Sequence, residues 1–318
     1  MADSDNKERW ERDTINELVF ASIKEQRRSR RWALVFRGFI AIYFVVLLVV
    51  FLADSKSTPT ELSEHTALIE VSGVIAAGSE ASADNVVTAL REAFKNKRAA
   101  GVILRINSPG GSPVQSGYIN DEIVRLRAKY PNKPLHAVIV DICASGGYYI
   151  AAAADNIYAD KASLIGSIGV IMNGFGFTEA MNKIGVERRL LTAGEHKGFL
   201  DPFSPINQKE VEHTKGLLAE IHSQFINVVK NGRGDRLADD EKLFSGYIWS
   251  GEKSLELGLI DGLGSSSYVA REIIGEEKLV DYTVKPTFID RFADRLGTSM
   301  GAVLANTLGL QSDGFHLK

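Results

Sequence analysis

The chain has 318 residues, of which 45% are hydrophobic and 24% charged, and these fractions exclude a disordered, collagen-like or wholly coiled-coil protein. Its formal net charge of -3 provides no basic field that would attract nucleic acid. The single cysteine, Cys143, excludes an intrachain disulfide, and the sequence contains no Cys/His spacing typical of a zinc site.

The first part of the chain divides into a polar segment and an apolar segment. Residues 1–31 carry eight Lys or Arg and seven Asp or Glu, whereas residues 32–53 carry one charge, Arg37. Roughly 20 apolar residues suffice to cross a bilayer, so residues 32–53 are predicted to be a transmembrane helix. The alternatives are a cleaved signal peptide, which the long polar lead disfavours, and a buried core helix. Basic residues before the span and acidic residues after it predict a cytoplasmic N-terminus and an extracytoplasmic main body.

After a predicted polar linker at 54–66, strands alternate with helices. The predicted strands are Ala67–Val74, Gly101–Ile106, Leu135–Val140, Asn156–Ala159, Leu164–Ile171 and Glu187–Leu191. The predicted helices are Ala83–Asn96, Pro113–Tyr130, Ser145–Ala154, Thr178–Ile184 and Gln208–Lys230. This alternation predicts an α/β fold with parallel strands and right-handed crossovers. The tail at 276–318 is amphipathic, and its packing is left open.

Two glycine-rich turns follow neighbouring predicted strands. The first, INSPGGS at 106–112, would let backbone N–H groups approach a substrate oxygen, although a simple tight turn would have the same sequence. The second, DICASGGYY at 141–149, presents Ser145 at a strand-to-helix turn, where it would serve as a nucleophile or as an ordinary helix N-cap. The two turns together favour acyl-transfer chemistry at the carboxyl ends of the strands.

A nucleophilic serine needs a base, and the sequence leaves several candidates. No histidine lies between His136, on a predicted strand, and His196. Lys161 fits a polar turn and Lys183 fits a helix C-terminus, whereas Lys197 lies among glycines beside Phe199. A lysine acts as a base only when neutral, and apolar surroundings favour the neutral form. Spacing alone does not choose between His196 and Lys197.

Four ordered motifs resemble the signal peptide peptidase family of membrane-bound serine proteases, in its short bacterial form with a single repeat. They are INSPGGS (106–112), DICASGGYYIAAAAD (141–155), GSIGV (166–170) and AGEHKGFLDPFSP (193–205). The likeness covers about 67–275, which is the expected peptidase domain, and includes GEKSLELGLIDGLG at 251–264.

The resemblance implies a Clp protease/crotonase-like fold of repeated β-β-α units and a Ser/Lys dyad. In this sequence it implies Ser145 as nucleophile, Lys197 as general base, Ser167 as the residue that positions Lys197, and the amides of Gly111 and Gly146 as the oxyanion hole. It indicates neither a metal nor an organic cofactor.

The resemblance also implies a place and a substrate. We expect a single-pass protein of the bacterial cytoplasmic (inner) membrane, in contact with lipid, whose catalytic domain is extracytoplasmic and cleaves remnant signal peptides. The family's longer form shares catalytic residues between two repeats, so a homo-oligomer in which Ser145 and Lys197 meet across subunits is expected. The alternatives are a crotonase-like enzyme acting on acyl-CoA thioesters and a catalytically inactive membrane scaffold.

Overall fold

The computed structural model describes residues 24–49 and 63–285, which belong to two separate compact units. The described part of the first unit is a single helix, α1 (Lys24–Val49), which is exposed along its length and is long and apolar enough to cross a membrane. The helix therefore begins before the predicted span. Residues 1–23, 50–62 and 286–318, which hold most of the predicted polar segment, linker and tail, lie outside the described residues.

The second unit is built on an eight-stranded sheet. Its strands are β1 (His65–Ser72), β2 (Ala99–Ser108), β3 (Leu135–Ala144), β4 (Asn156–Ala159), β5 (Leu164–Gly166), β6 (Ile248–Ser250), β7 (Gly262–Leu263) and β8 (Leu279–Asp281). The main order is β6-β5-β3-β2-β1-β8, and β4 pairs with both β3 and β7. All pairs are parallel except β5–β6. The long strand β3 pairs with β4 through its first half and with β5 through its end, where the chemistry is expected.

Helices cover the sheet and connect its strands. They are α2 (Ala83–Lys95), α3 (Pro113–Lys129), α4 (Gly146–Ala151), α5 (Thr178–Ile184), α6 (Gln208–Arg233), α7 (Gly251–Glu256) and α8 (Ser266–Tyr268), which continues as a π-helix (Val269–Ile274). Short 3-10 turns lie at Gly234–Arg236 and Glu241–Phe244. Helix α3 begins where the sequence favours it, since Ser112 accepts a hydrogen bond from the Gln115 amide and Pro113 occupies the first turn.

The core divides between the two faces of the sheet. Val102, Leu104 and Ile106 of β2 point into the larger apolar cluster, whereas Ile103 belongs to a smaller cluster on the other face with Val269. This is the period-two alternation of a strand that is buried on both sides. The predicted α/β class and the parallel pairing are confirmed.

Several predicted boundaries differ from the structure. Strand β5 ends at Gly166 instead of Ile171 because Ser167 adopts a positive φ of 51°, which a strand does not accommodate. Residues 187–191 form no strand in the described chain and are exposed, so that prediction is wrong. The sheet also extends beyond the expected domain at 67–275, since β1 starts at His65 and β8 lies at Leu279–Asp281. The two- and three-residue strands β6 to β8 were not predicted.

Candidate active site

Ser145 lies on the sharp turn between β3 and α4. Its backbone has φ 51° and ψ -121°, a combination that a residue with a side chain rarely adopts. The turn is held by a hydrogen bond from the Ser145 amide to the Gly166 carbonyl of 2.9 Å. The Ser145 side chain makes no helix-capping hydrogen bond. Its hydroxyl is therefore presented at the turn without serving the helix.

The loop after β2 lies against this turn. Ile75 donates its amide hydrogen to the Gly110 carbonyl at 2.9 Å and accepts one from Ser112 at 2.8 Å. Because these two bonds flank Gly111 in a parallel bridge, the Gly111 N–H faces away from Ile75. A Cβ atom at Gly110 would lie only 2.7 Å from the Ser145 Cβ, so the two turns are in direct contact.

Gly146 brings the second amide to the same place. It is the first residue of α4, so its N–H has no partner one turn earlier in that helix. A Cβ atom at this position would lie 3.3 Å from the Gly111 nitrogen and 2.4 Å from the Ser116 Oγ, which excludes a side chain. The structure thus places the amides of Gly111 and Gly146 beside each other and next to Ser145. Two converging N–H groups are the arrangement that stabilises the oxyanion of an acyl-transfer reaction.

A cleft of about 500 Å³ opens at Ser145. Its walls come from α3, α4, α6 and the segment after β5. Most of its lining is apolar or small, namely Pro113, Val114, Gly117, Tyr118, Tyr149, Gly169, Val170, Ile171, Ile221 and Phe225, with Gln224 and Asp121 as polar side chains. The rings of Tyr149 and Phe225 pack with centroids 5.1 Å apart. The cleft has the size and the apolar character of a site for part of a peptide.

Ser167 lies on the turn adjacent to Ser145. It follows Gly166, whose carbonyl accepts the Ser145 amide, and its own amide donates to the Tyr247 carbonyl at 2.7 Å. Its φ is also 51°. The predicted nucleophile, oxyanion-hole glycines and positioning serine therefore lie together at the carboxyl ends of β2, β3 and β5.

Lys197 does not join them within one chain. It is exposed in a run of turns, does not line the cleft at Ser145, and forms no side-chain hydrogen bond or ion pair with any described residue. The Phe199 ring packs on His213, with the two ring centroids 5.8 Å apart. His196 lines a separate cavity of about 390 Å³ with Phe199 and His213, so the single chain does not bring this alternative base to Ser145 either.

The segment around Lys197 exposes an unusual amount of apolar surface. Residues 171–207 contain α5, which buries no residue, and the side chains of Ile171, Phe175 and Leu191 are 83%, 82% and 96% exposed. We call residues 171–207 the arm. Large contiguous apolar patches on a protein surface are typical of sites that contact another molecule. The helix predicted at Thr178–Ile184 and the strand predicted at Glu187–Leu191 do not indicate this exposure.

The remaining candidate groups belong to the core. Cys143 is fully buried, and burial raises the pKa of its thiol, so the side chain packs as a small hydrophobic residue. His136 lies on β3 as expected, and burial lowers its pKa. Within residues 24–49 and 63–285, no group of three or more His, Cys, Asp or Glu side chains is arranged to hold a metal ion.

Comparison with known proteins identifies the protein family that the chain resembles. The model of the family described as peptidase family S49 matches residues 127–280. A protein of Synechocystis sp., provisionally named protease slr0021, is 32% identical over 206 residues, which are 65% of this chain and 72% of that protein. A protein of Enterococcus faecium, provisionally named signal peptide peptidase SppA, is 31% identical over 68% of this chain and 64% of that protein.

A third relative carries the name of a transporter instead of a peptidase. The Na(+)/H(+) antiporter NhaA of Brucella melitensis is 47% identical over 188 residues, which are 59% of this chain but 25% of that protein. The chain thus spans about a quarter of the length of this long relative, and the aligned part carries no argument for ion transport.

The class that the family match and the fold define is that of the α/β proteins with a Clp protease/crotonase-like fold. Within that class, the chain belongs to peptidase family S49.

The residues that line the cleft beyond the motifs were not found from the sequence. Tyr149 lies inside a quoted motif, but Gly117 and Asp121 on α3 and Phe225 on α6 belong to ordinary helical sequence. No local pattern marks them, because only the packing of α3 and α6 around α4 brings them to Ser145.

Proposed function

We propose that this protein is a membrane-anchored serine endopeptidase in which Ser145 is the nucleophile and Lys197 the general base. The observation that carries the proposal is the proximity of Gly111 and Gly146 to each other and to Ser145 in the lining of an apolar cleft. The Ser145 Oγ attacks the scissile carbonyl carbon while its proton passes to the Lys197 amine. The oxyanion is held by the two amides. The protonated lysine then gives its proton to the leaving amine, and water resolves the acyl-enzyme.

The base is supplied by a second copy of the chain. Two observations support this step: Lys197 is exposed and does not line the cleft of its own chain, and it lies on the arm, several of whose apolar side chains are exposed. Burial of those side chains against a neighbouring copy would favour association and would surround Lys197 with apolar groups. Ser167, on the turn beside Ser145, then positions the incoming lysine.

The membrane anchor and the substrate form the second half of the proposal. Helix α1 is long and apolar enough to span a bilayer, and the basic residues at its start favour a cytoplasmic N-terminus. The catalytic unit would then act on the extracytoplasmic side of a bacterial inner membrane, which is the periplasm if the cell has an outer membrane. One relative carries the name of a signal peptide peptidase. We infer that the substrates are cleaved signal peptides, whose apolar segments suit the cleft.

Mass spectrometry of the products from a synthetic signal peptide tests activity and nucleophile together. The intact protein in detergent should cleave the peptide and react with a fluorophosphonate at Ser145, whereas Ser145→Ala should do neither. A folded wild-type protein that neither cleaves peptides nor reacts at Ser145 would instead favour an inactive scaffold.

Mixing two inactive variants tests the shared site. Ser145→Ala and Lys197→Ala protomers, carrying different tags, should regain cleavage when mixed, because some boundaries join an intact Ser145 to an intact Lys197. A dyad within one chain would give no recovery. If tag pull-down verifies mixed oligomers and they remain inactive, the shared-site part of the proposal is wrong.

A further inference from the structure

Gly117 occupies the interior of α3 without a packing reason. A glycine there makes a helix less stable than alanine does by about 1 kcal/mol. Crowding explains the glycine at another helical position, since a Cβ atom at Gly232 would lie 1.9 Å from the Ala152 carbonyl oxygen. At Gly117 a Cβ atom would meet nothing within 4 Å, and the backbone is that of an ordinary helix. Among the described residues, neither crowding nor backbone conformation requires the glycine.

The empty space beside Gly117 belongs to the cleft at Ser145. Val114, Gly117, Tyr118 and Asp121 all line that cleft, and their spacing places them on one face of α3. Val114 and Tyr118 are 58% and 60% exposed, so the side chains on either side of the glycine stand free along the wall. Gly117 therefore forms a notch between them.

The position of the notch indicates which residue of a bound peptide would contact it. Helix α3 starts two residues after Gly111, and Gly117 lies about 6 Å further along the helix than Pro113. A carbonyl held by the Gly111 and Gly146 amides would have the Cα of the residue preceding the scissile bond attached directly to it. The side chain of that residue would enter the cleft within reach of the notch.

We propose that Gly117 is a specificity-determining residue, whose missing side chain leaves room for a bulky apolar residue immediately before the scissile bond. The inference rests on the proposed peptidase function. The lining around the notch supports the apolar preference, because Val114, Ile171, Ile221 and Phe225 contribute to it. A side chain introduced at position 117 should therefore disfavour substrates with a large residue before the scissile bond. A single methylene in such a pocket changes selectivity by about 10-fold to 200-fold.

The test compares two peptides that differ only in the residue before the cleaved bond, leucine or alanine. The full-length Gly117→Leu variant should lower kcat/KM for the leucine peptide at least about 10-fold relative to the alanine peptide. Gly117→Ala should shift the ratio in the same direction by less. The matched control is Gly216→Leu, since Gly216 is also an interior helical glycine with nothing within 4 Å and does not line the cleft. It should leave the ratio unchanged, and all three variants should still react with a small fluorophosphonate.

Each result decides a different point. An unchanged leucine-to-alanine ratio in both Gly117 variants, or an equal loss for both peptides, overturns the role of Gly117 while wild-type cleavage still supports the peptidase. A change in oligomer size with an unchanged ratio would show that the notch contacts a second copy and also overturns the inference. If circular dichroism shows that Gly117→Leu does not fold, Gly117→Ala decides, because alanine favours the helix. A wild type that cleaves neither peptide refutes the proposed function itself.

Discussion

Ser145 and Ser167, which are 22 positions apart in sequence, share a φ of 51° on adjacent turns, and the Gly166 carbonyl before Ser167 accepts the Ser145 amide hydrogen at 2.9 Å. Among the described residues other than glycine, only Leu200 also has a positive φ. A backbone held in this region costs on the order of 1–3 kcal/mol and persists only where the surrounding structure enforces it. Both predicted serines of the site are thus maintained at a cost in stability.

Replacement of Ser145 by glycine should separate stability from catalysis. Glycine adopts a positive φ without strain, and the Ser145 hydroxyl caps no helix, so Ser145→Gly should be more stable than Ser145→Ala by about 1 kcal/mol. Both variants should be inactive. Urea unfolding of the two proteins in the same detergent measures the difference. Equal stability would show that the turn is relaxed and that strain is not stored at Ser145.

Ser167→Gly should be more stable than the wild type and yet less active. The glycine relieves the positive φ, whereas the loss of the hydroxyl removes the group that we propose positions Lys197. We expect kcat to fall while the midpoint of urea unfolding rises and fluorophosphonate still reacts with Ser145. A Ser167→Gly variant with wild-type kcat would show that Ser167 serves only the turn.

Lys197→Arg tests the base directly. Arginine keeps the positive charge and most of the length, but it does not give up its proton in proteins. Turnover should therefore fall by several orders of magnitude while the oligomer, measured by its elution volume, stays intact. Lys183→Arg is the matched control on the same arm, since Lys183 lies at the end of α5. If Lys197→Arg keeps near wild-type turnover, His196 becomes the base to examine.

The glycine-rich motifs made much of the site predictable. INSPGGS and the turn at Ser145 combine residues whose local conformation is set by the sequence, and both follow buried apolar strands. Their meeting also follows from parallel pairing, because the ends of β2 and β3 lie at the same edge of the sheet. The proximity of the two turns could therefore be predicted from the sequence, whereas the roles of Gly111, Gly146 and Ser167 were implied only by the family resemblance.

The arm could not be predicted in the same way. Residues 187–191 contain two leucines but no β-branched residue, and a strand needs a partner that the described chain does not provide. Similarly, the expected environment of Lys197 depends on what covers the arm, which is not set by the sequence near Lys197. The cleft walls on α3 and α6 depend on tertiary packing, so helical periodicity predicted the helices but not the faces that meet Ser145.

Acid should destabilise the protein through Glu122. Hydrogen bonds from Arg125, assisted by Arg91, lower the pKa of the Glu122 carboxyl from 4.5 to about 2, although its burial opposes this shift. A lowered pKa in the folded state gives stability that is present above about pH 4.5 and is lost as the pH falls toward 2. Urea unfolding at several pH values should show a shallower loss for Glu122→Gln than for the wild type. Parallel curves would show that Glu122 does not contribute to the acid dependence.

Loss of the buried ion pair between Arg233 and Asp261 should destabilise the second unit more than loss of any other described charged contact. The Arg233 guanidinium is fully buried and donates to both carboxylate oxygens of Asp261, at 2.7 and 3.0 Å, and to the Gly258 carbonyl. Asp261 also accepts the Ile157 amide hydrogen at 2.7 Å, so it joins α6 to β4.

Removal of the carboxylate in Asp261→Ala leaves a buried guanidinium without its partner and should lower the free energy of unfolding by about 3–5 kcal/mol. The control is Glu272→Ala, which breaks the exposed pair with Arg271 and should cost less than about 1 kcal/mol. Urea unfolding measures both variants. The double variant Arg233→Met with Asp261→Ala should recover part of the loss, because no charge then remains buried without a partner. A double variant less stable than Asp261→Ala alone would show that Arg233 stabilises the fold through its other contacts rather than through this pair.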